Sequence, residues 1–120
     1  MYNKNMKIIK LKEVDSTHRY IKDYILENGY CEPICILSDF QTQGIGSRGN
    51  SWIGKEGNVF FSFVVDEEFL PNDLPLQSSS IYFSFLLKDV LKEIGSKVWL
   101  KWPNDFYVND KKIGGTITRS

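Results

Sequence analysis

The pattern of apolar and polar positions predicts a strand and then a helix at the start of the chain. Residues 7–14, KIIKLKEV, indicate the strand. Asp15, Ser16 and Thr17 follow it as consecutive N-cap candidates, and Gly29 is expected to end the helix after about Asn28. Within this helix one apolar stripe is formed by Tyr20, Ile21, Tyr24 and Ile25.

The middle of the chain predicts two further strands and a second helix. Residues 34–40 indicate a short buried strand, and residues 58–65, NVFFSFVV, indicate a central strand covered on both faces because they are almost continuously apolar. Residues 66–77 contain two prolines and several acids and predict a surface connection. A helix is expected over residues 78–94, with Gly95 at its end. Its expected core-facing residues are Ile81, Phe85, Val90, Leu91 and Ile94.

The last part of the chain predicts a β-ribbon. Val98, Leu100 and Trp102 alternate with polar residues before residues 103–105 break the run. A strand at 106–108 then returns through the two-residue loop Asn109-Asp110 into a final strand with an exposed edge. The order β-α-β-β-α-β-β-β predicts an α+β domain in which helices cover a mixed β-sheet.

Composition narrows the class of protein. A chain of 120 residues is expected to form one domain that buries about 65% of its unfolded surface without disulfides or a structural metal. The formal charge is zero, with 15 basic and 15 acidic residues, which argues against a nucleic-acid or anionic-membrane surface. The chain shows no signal peptide and no 18-residue apolar run, so the cytoplasm is the expected compartment.

The cysteine and histidine content argues against a metal centre of soft ligands. Cys31 and Cys35 are the only cysteines, their spacing does not match a zinc half-site, and His18 is the only histidine. Both thiols are expected to be reduced and packed.

Two segments carry candidate binding chemistry in the first half of the chain. The hydroxyls of Ser16 and Thr17 at a helix N-terminus suit a carbonyl or an anion, although simple helix capping is the favoured explanation when these residues are taken alone. Within the segment 41–52, residues 44–49 contain three glycines, so successive backbone N–H groups can point into one concavity that binds an anion. The guanidinium of Arg48 would add positive charge, and the ring of Trp52 would offer a flat surface to a planar ligand. It matches neither a dinucleotide-binding fingerprint nor a P-loop.

The ribbon at residues 101–115 adds charge and close backbone approach. Lys101 and Lys112 suit phosphate or carboxylate oxygens as point charges, and Gly114-Gly115 lets a ligand pack flat on the strand. The alternative is a solvated hairpin edge with a glycine bulge.

Four separated pieces together resemble the catalytic domain of biotin–protein ligases. The pieces are Asp15-Ser16-Thr17, Gln41 with the glycine segment that ends at Trp52, residues 101–105 (KWPND) and residues 112–115 (KIGG). The resemblance covers about residues 8–118 and implies the N-terminal part of a class II synthetase-like fold, so that residues 1–120 are expected to form a partial catalytic domain. It implies ATP-dependent activation of biotin to biotinyl-5′-AMP and transfer of the biotin to a lysine of a biotin carboxyl carrier domain.

Carried over by position, the resemblance implies a role for each matching residue. Biotin is expected to contact Ser16, Thr17, Gln41, Gly115 and Ile117. The adenylate phosphate is expected to lie against Gly44, Gly46, Ser47, Arg48 and Gly49. Lys112 is the expected catalytic lysine, touching both the biotin carboxylate and the α-phosphate. The nucleotide side comprises Trp52, Lys101, Asn104 and Asp105, with Asp105 as the candidate ligand of Mg²⁺.

The sequence departs from the family pattern in the glycine segment. The family loop is rich in arginine, whereas Ile45, Ser47 and Asn50 stand here at the arginine positions and only Arg48 is basic. Either weaker retention of the adenylate or a dependence of its retention on other residues is expected. His18 stands where Asn or Gln is common and is assigned no catalytic role. A winged-helix module is absent from these residues, so no contact with nucleic acid is expected.

Two other interpretations stay open at this point. The first is a lipoate–protein ligase or octanoyltransferase of the same fold group, although KWPND and the early Asp-Ser-Thr favour biotin. The second is a non-catalytic biotin-binding fragment, or a chain that forms a homodimer through its open sheet edge.

Overall fold

The computed structural model describes residues 6–45, 51–52, 55 and 57–119 of the chain. They contain two α-helices together with parallel and antiparallel strands, which confirms the predicted α+β class. The chain divides into two compact units, Met1–Leu70 and Pro71–Ser120.

The first unit is built on a three-stranded mixed sheet. Strands β1 (Lys7–Val14) and β2 (Ile34–Gln41) are parallel, and β5 (Phe60–Val64) pairs antiparallel with β2, so β2 is the middle strand. Parallel neighbours need a crossover connection. Helix α1 (Thr17–Asn28) provides it and packs its apolar stripe on the sheet. The buried centre of this unit is formed by Ile21, Ile34 and Ile36.

The predicted central position of the NVFFSFVV strand is wrong for the described sheet. Strand β5 lies at one edge of the sheet. Phe61 and Phe63 are 36% and 38% exposed and stack on each other, with ring centroids 6.3 Å apart. The other side of β5 contacts α1. Aromatic rings lie on the exposed face of β5 as well as on the face towards α1. The sequence of this strand is therefore apolar on both faces and has the same pattern as a strand buried on both sides.

The glycine-rich segment begins and ends in a short antiparallel pair that the sequence did not predict. Gly44–Ile45 (β3) pairs with Ser51–Trp52 (β4). The connection that follows the first sheet contains single turns of 3₁₀ helix at Glu67–Phe69 and Leu76–Ser78, which is consistent with the predicted surface connection.

The second unit packs one helix against an antiparallel ribbon. Helix α2 (Ser79–Glu93) contacts β6 (Trp99–Lys101), and β7 (Asp105–Val108) and β8 (Lys111–Gly115) complete a sheet of order β6-β7-β8. The predicted hairpin is confirmed, since Val108 pairs with Lys111 and Asn109 takes a φ of 56°. Within the described ribbon, β8 is an edge strand, as expected.

The predicted core face of α2 is partly wrong. Phe85 and Val90 are 49% and 53% exposed, and Ile94, which caps the helix, is 76% exposed. Ser79 and Ser84 are buried instead. The Ser84 hydroxyl lies 2.6 Å from the Thr116 hydroxyl beyond β8. Ile81 and Leu91, on the same side of the helix as Ser84, are half-buried as expected.

Two smaller expectations also need correction. Trp102 lies beyond the end of β6 and is 73% exposed, because the chain turns at residues 102–104 and does not continue the strand. Both cysteines are free as expected, but Cys31 is exposed, whereas burial raises the pKa of the half-buried Cys35 thiol. Over the part of the chain that is described, neither helix has the length and apolarity needed to cross a bilayer.

Candidate functional site

The start of α1 is a buried polar point in the first unit. Ser16 has an extended backbone, and its hydroxyl oxygen accepts the Arg19 N–H at 3.2 Å, which makes it the predicted N-cap. Ser16 is 1% exposed and Thr17 is 3% exposed. Two hydroxyls are therefore held out of water at the positive end of a helix.

Gln41 is joined to this helix end because β1 and β2 are parallel. Val14, the last residue of β1, pairs with Gln41, the last residue of β2. Helix α1 begins at Thr17, three residues after Val14. The Thr17 N–H donates to Gln41 Oε1 at 2.8 Å. The amide oxygen is thus committed to the helix, and the other end of the Gln41 side chain is an NH₂ donor.

A residue that the sequence interpretation missed belongs to the same cluster. The Ser62 hydroxyl, from β5, lies 2.8 Å from the Thr17 hydroxyl. Its signal in the sequence was a single polar residue inside the apolar run FFSFVV. Ser16, Thr17, Gln41 and Ser62 are called the polar cluster below.

A second network ties the helix end to the beginning of the glycine-rich segment. Arg19 donates to Asp15 Oδ2 at 3.0 Å and to Gln43 Oε1 at 3.4 Å. The Gln43 N–H donates to the Asp15 carbonyl at 2.6 Å. The N–H of Ser16 and the Arg19 guanidinium both bond the Asp15 carboxylate and lower its pKa below the ordinary value of 3.8.

This lowered pKa predicts an acid-sensitive contribution to folding. A carboxylate whose folded pKa is depressed stabilises the fold above its unfolded pKa, and the contribution disappears as the pH falls through the folded value. We expect Asp15→Asn to lower the thermal unfolding midpoint at neutral pH and to make progressively less difference as the pH falls below 3.8 and through the folded pKa of Asp15. Unfolding curves of both proteins between acid and neutral pH check this. A gap between the two midpoints that persists unchanged at low pH would contradict it.

Of the residues predicted for the phosphate loop, the structure describes only Gly44. Gly44 is buried and pairs with Trp52 in the β3–β4 pair. Gly46, Ser47, Arg48 and Gly49 lie outside the described residues, and so does the side chain of Trp52. Their assignment stays a prediction.

In the second unit, one face of the ribbon carries two of the predicted nucleotide-side residues, Lys101 and Asp105, together with Lys112. Tyr107 pairs with Lys112, and Asp105 pairs with both Lys101 and Gly115. Paired residues share a face of a sheet. Lys112 Nζ lies 3.1 Å from Asp105 Oδ1, and Lys101 Nζ lies 5.4 Å from the centre of the Tyr107 ring. Lys112 and Asp105 are 39% and 30% exposed at their side chains, so the pair is open to a ligand.

A β-bulge aligns Gly115 with this pair. The register shifts between Phe106 and Tyr107, because Phe106 pairs with Gly114 and Tyr107 pairs with Lys112, and Ile113 is the extra residue. A Cβ atom on Gly115 would lie 3.2 Å from Asp105 Oδ1 and 3.3 Å from the Asn104 carbonyl oxygen. The absence of a side chain at Gly115 therefore leaves space for the Asp105 carboxylate, which contacts Lys112.

Asn104 supports the end of β8. Its side-chain Nδ2 donates to the Thr116 carbonyl at 2.6 Å, and its carbonyl accepts the Thr116 N–H at 3.1 Å. Ile117 follows and is half-buried. Asn104 holds the segment that carries Gly115 and Ile117, and its Oδ1 is the acceptor end of the side chain.

The surroundings of Asp105 do not fit a metal held by the protein. Its Oδ1 contacts the Lys112 ammonium, and a cation on the same carboxylate would lie beside that charge. Within the described ranges no three His, Cys, Asp or Glu side chains come together as metal ligands. The geometry favours Asp105 as the partner of Lys112.

A surface depression elsewhere shares no residue with these sets. It has a volume of about 520 Å³ and is lined by residues 30–33 with Asp66, Glu68 and Phe69.

Comparison with known proteins places the chain in a family. Residues 11–120 match the model of the biotin/lipoate A/B protein ligase family. The chain is 33% identical over 111 residues to the bifunctional ligase/repressor BirA of Escherichia coli, which covers 89% of this chain and 33% of that protein. Over 91 residues it is 34% identical to biotin–protein ligase 2 of Arabidopsis thaliana, covering 72% of this chain and 27% of that protein.

Solved structures agree with these sequence matches. The biotin acetyl coenzyme A carboxylase synthetase of Helicobacter pylori, with bound biotinylated ATP, superposes with a TM-score of 0.92 at 41% identity, covering 97% of this chain and 56% of that chain. The biotin protein ligase of Aquifex aeolicus, in complex with biotin and ATP, gives a TM-score of 0.73 at 32% identity, covering 92% of this chain and 45% of that chain. The chain thus spans between 27% and 56% of the length of these relatives. It belongs to the biotin/lipoate A/B protein ligase family.

Proposed function

We propose that this chain supplies the biotin-contacting and carboxylate-activating residues of a biotin–protein ligase. The reaction joins biotin and ATP into biotinyl-5′-AMP and then passes the biotin to a lysine of a biotin carboxyl carrier domain. The observation that carries the proposal is the polar cluster at the start of α1, which holds Ser16 and Thr17 almost fully out of water. Relatives that bind biotin together with ATP or as biotinylated ATP support it.

The hydrogen-bonding groups of the cluster match a cyclic urea. The Ser16 oxygen accepts the Arg19 N–H and Gln41 Oε1 accepts the Thr17 N–H, so the Ser16 O–H and the Gln41 NH₂ are donors for a ring carbonyl. Buried polar groups cost free energy when a ligand leaves them unpaired. An octanoyl chain or a dithiolane ring has no such carbonyl and would leave them unpaired.

Lys112 supplies the charge that adenylation needs. A carboxylate oxygen of biotin attacks the α-phosphorus of ATP, the new O–P bond forms, and pyrophosphate leaves with the electrons of the broken bond. Two anions must approach each other, and charge grows on the phosphoryl oxygens. An ammonium group in contact with both lowers both barriers. Asp105, at 3.1 Å, holds the Lys112 side chain before substrate arrives.

The remaining assignments extend this proposal to the neighbouring residues. Gly115 and Ile117 line the biotin pocket, while Lys101 and Asn104 lie on the nucleotide side. The phosphate loop comprises Gly44, Gly46, Ser47, Arg48 and Gly49, with Trp52 beside the adenine. Because Asp105 is engaged by Lys112, Mg²⁺ is expected to arrive on the phosphates of ATP. In the second reaction the carrier lysine attacks the biotinyl carbonyl carbon and AMP leaves.

Isothermal titration of the chain with biotin and with octanoate tests the ligand class. We expect biotin to bind, and we expect octanoate to bind at least about tenfold more weakly. An aliphatic chain offers no hydrogen-bonding partners to the polar cluster. Addition of ATP and Mg²⁺ to the biotin-bound chain then tests for release of pyrophosphate. Binding of biotin without pyrophosphate release supports a non-catalytic biotin-binding module, octanoate binding at least as tight as biotin supports the lipoate branch, and no binding of either contradicts the proposal.

A further inference from the structure

Ser62 is the one member of the polar cluster to which the proposed binding of biotin assigns no role. It lies on β5, pairs with Ile36 of the middle strand, and places its hydroxyl 2.8 Å from that of Thr17. Ile36 is fully buried and Ser62 is partly buried. The residues next to Ser62 in the strand are Phe61 and Phe63, so a hydroxyl interrupts an otherwise aromatic strand at the point that faces α1.

The contact between the Ser62 and Thr17 hydroxyls affects which hydrogen-bond donors and acceptors the polar cluster offers to a ligand. The donors of the cluster are the Ser16 O–H and the Gln41 NH₂, and both suit the carbonyl of a urea ring. A urea ring also carries N–H groups, which need acceptors. The Thr17 N–H is already used by Gln41. Thr17 as a residue is 3% exposed, so its hydroxyl proton requires a protein partner.

We propose that the Ser62 oxygen accepts a hydrogen bond from the Thr17 hydroxyl. The Thr17 oxygen is then left as the acceptor for a ring N–H of the ligand. Ser62 is a positioning residue that fixes the polarity of Thr17. With Ser62 in place, the cluster offers donors to the urea carbonyl and an acceptor to a urea N–H. The inference rests on the proposed function, because it takes the cyclic urea of biotin as the ligand.

Replacing Ser62 tests the inference. We expect Ser62→Ala to raise the biotin dissociation constant about 3- to 10-fold, because one hydrogen bond to the ligand loses its orientation. Ser62→Thr keeps the hydroxyl and is expected to bind biotin within about twofold of the wild type. Ser38→Ala is the matched control, because Ser38 is a buried serine of the same sheet whose hydroxyl donates to the Phe40 carbonyl within β2. It is expected to lower the unfolding midpoint and leave biotin affinity unchanged.

A second ligand identifies the group that Ser62 serves. Desthiobiotin keeps the urea ring and lacks the thioether sulfur, so Ser62→Ala is expected to weaken biotin and desthiobiotin by the same factor. A loss confined to biotin would assign Ser62 to the sulfur and overturn the inference. Equal biotin affinity in the wild type and Ser62→Ala, with both proteins folded by thermal unfolding, would also overturn it and leave the proposed function intact. Failure of the wild-type chain to bind either ligand would overturn the proposed function itself.

Discussion

Replacing Lys112 by alanine is expected to slow the formation of biotinyl-5′-AMP by about 100-fold or more, which corresponds to about 3 kcal/mol of transition-state stabilisation. The proposed role of this ammonium is to offset repulsion between the carboxylate and ATP and to stabilise charge on the phosphoryl oxygens. Alanine would also leave Asp105, now 3.1 Å from Lys112 Nζ, as an uncompensated negative charge next to the incoming anions. Pyrophosphate release in the ligase that contains these residues measures the rate.

Lys111 is the matched control for this substitution. It pairs with Val108, one position from the Tyr107–Lys112 pair, and neighbouring positions of a strand face opposite sides. Lys111→Ala removes the same charge from the same hairpin and is expected to leave the rate within about twofold, because an exposed charge on the far side is screened. Equal rates for Lys112→Ala and wild type would remove Lys112 from the site.

Gly115→Val is expected to weaken biotin binding by up to about 100-fold, as overpacking a close-fitting site does. Its first added carbon would lie 3.2 Å from Asp105 Oδ1 and 3.3 Å from the Asn104 carbonyl oxygen, tighter than ordinary contact. The branched side chain would then occupy the space proposed for the biotin ring. Titration with biotin measures the loss.

Gly114→Ala is the natural comparison in the same strand. A Cβ at Gly114 would meet only the Phe106 ring, at 4.0 Å, which is an ordinary contact. This variant is expected to keep biotin affinity. The intermediate variant Gly115→Ala separates two effects, because it displaces the Asp105 carboxylate with less filling of the pocket and is expected to slow adenylation more than it weakens binding. Normal biotin affinity in Gly115→Val would rule out the assigned pocket.

The local elements could be predicted because short-range signals specify them. Ser16 caps α1 and Gly29 ends it, with a φ of 77°, because a hydroxyl and a glycine satisfy requirements of the helix ends themselves. The Asn109-Asp110 hairpin follows in the same way from one residue with positive φ. These features need no knowledge of the rest of the fold.

The errors arose where burial depends on which elements become neighbours. The aromatic strand β5 lies at a sheet edge, and α2 buries Ser84 while Phe85 is exposed. The sequence of an apolar run does not determine which face of the strand is covered by another element. A polar residue such as serine does not contribute to the apolar periodicity from which burial is predicted. Helical period alone therefore selected three exposed residues, Phe85, Val90 and Ile94, beside the half-buried Ile81 and Leu91.

The candidate site shows the same division. Residue types in the four family-like pieces predicted Ser16, Thr17, Gln41 and Lys112. The contacts of Ser62 with Thr17 and of Asp105 with Lys112 join residues on different strands and elements, and the one-residue bulge at Ile113 sets part of their alignment. Register of this kind comes from tertiary pairing, so neither the role of Ser62 nor the contact of Asp105 with Lys112 could be assigned from the sequence.

The central claim is that Lys112 binds the carboxylate of biotin and activates it for adenylation. The most direct test compares the dissociation constants of biotin and biotin methyl ester, which lacks the carboxylate charge, in the wild type and in Lys112→Ala. The account predicts that the wild type prefers biotin and that Lys112→Ala binds the two ligands equally. An undiminished preference for biotin in Lys112→Ala would contradict it.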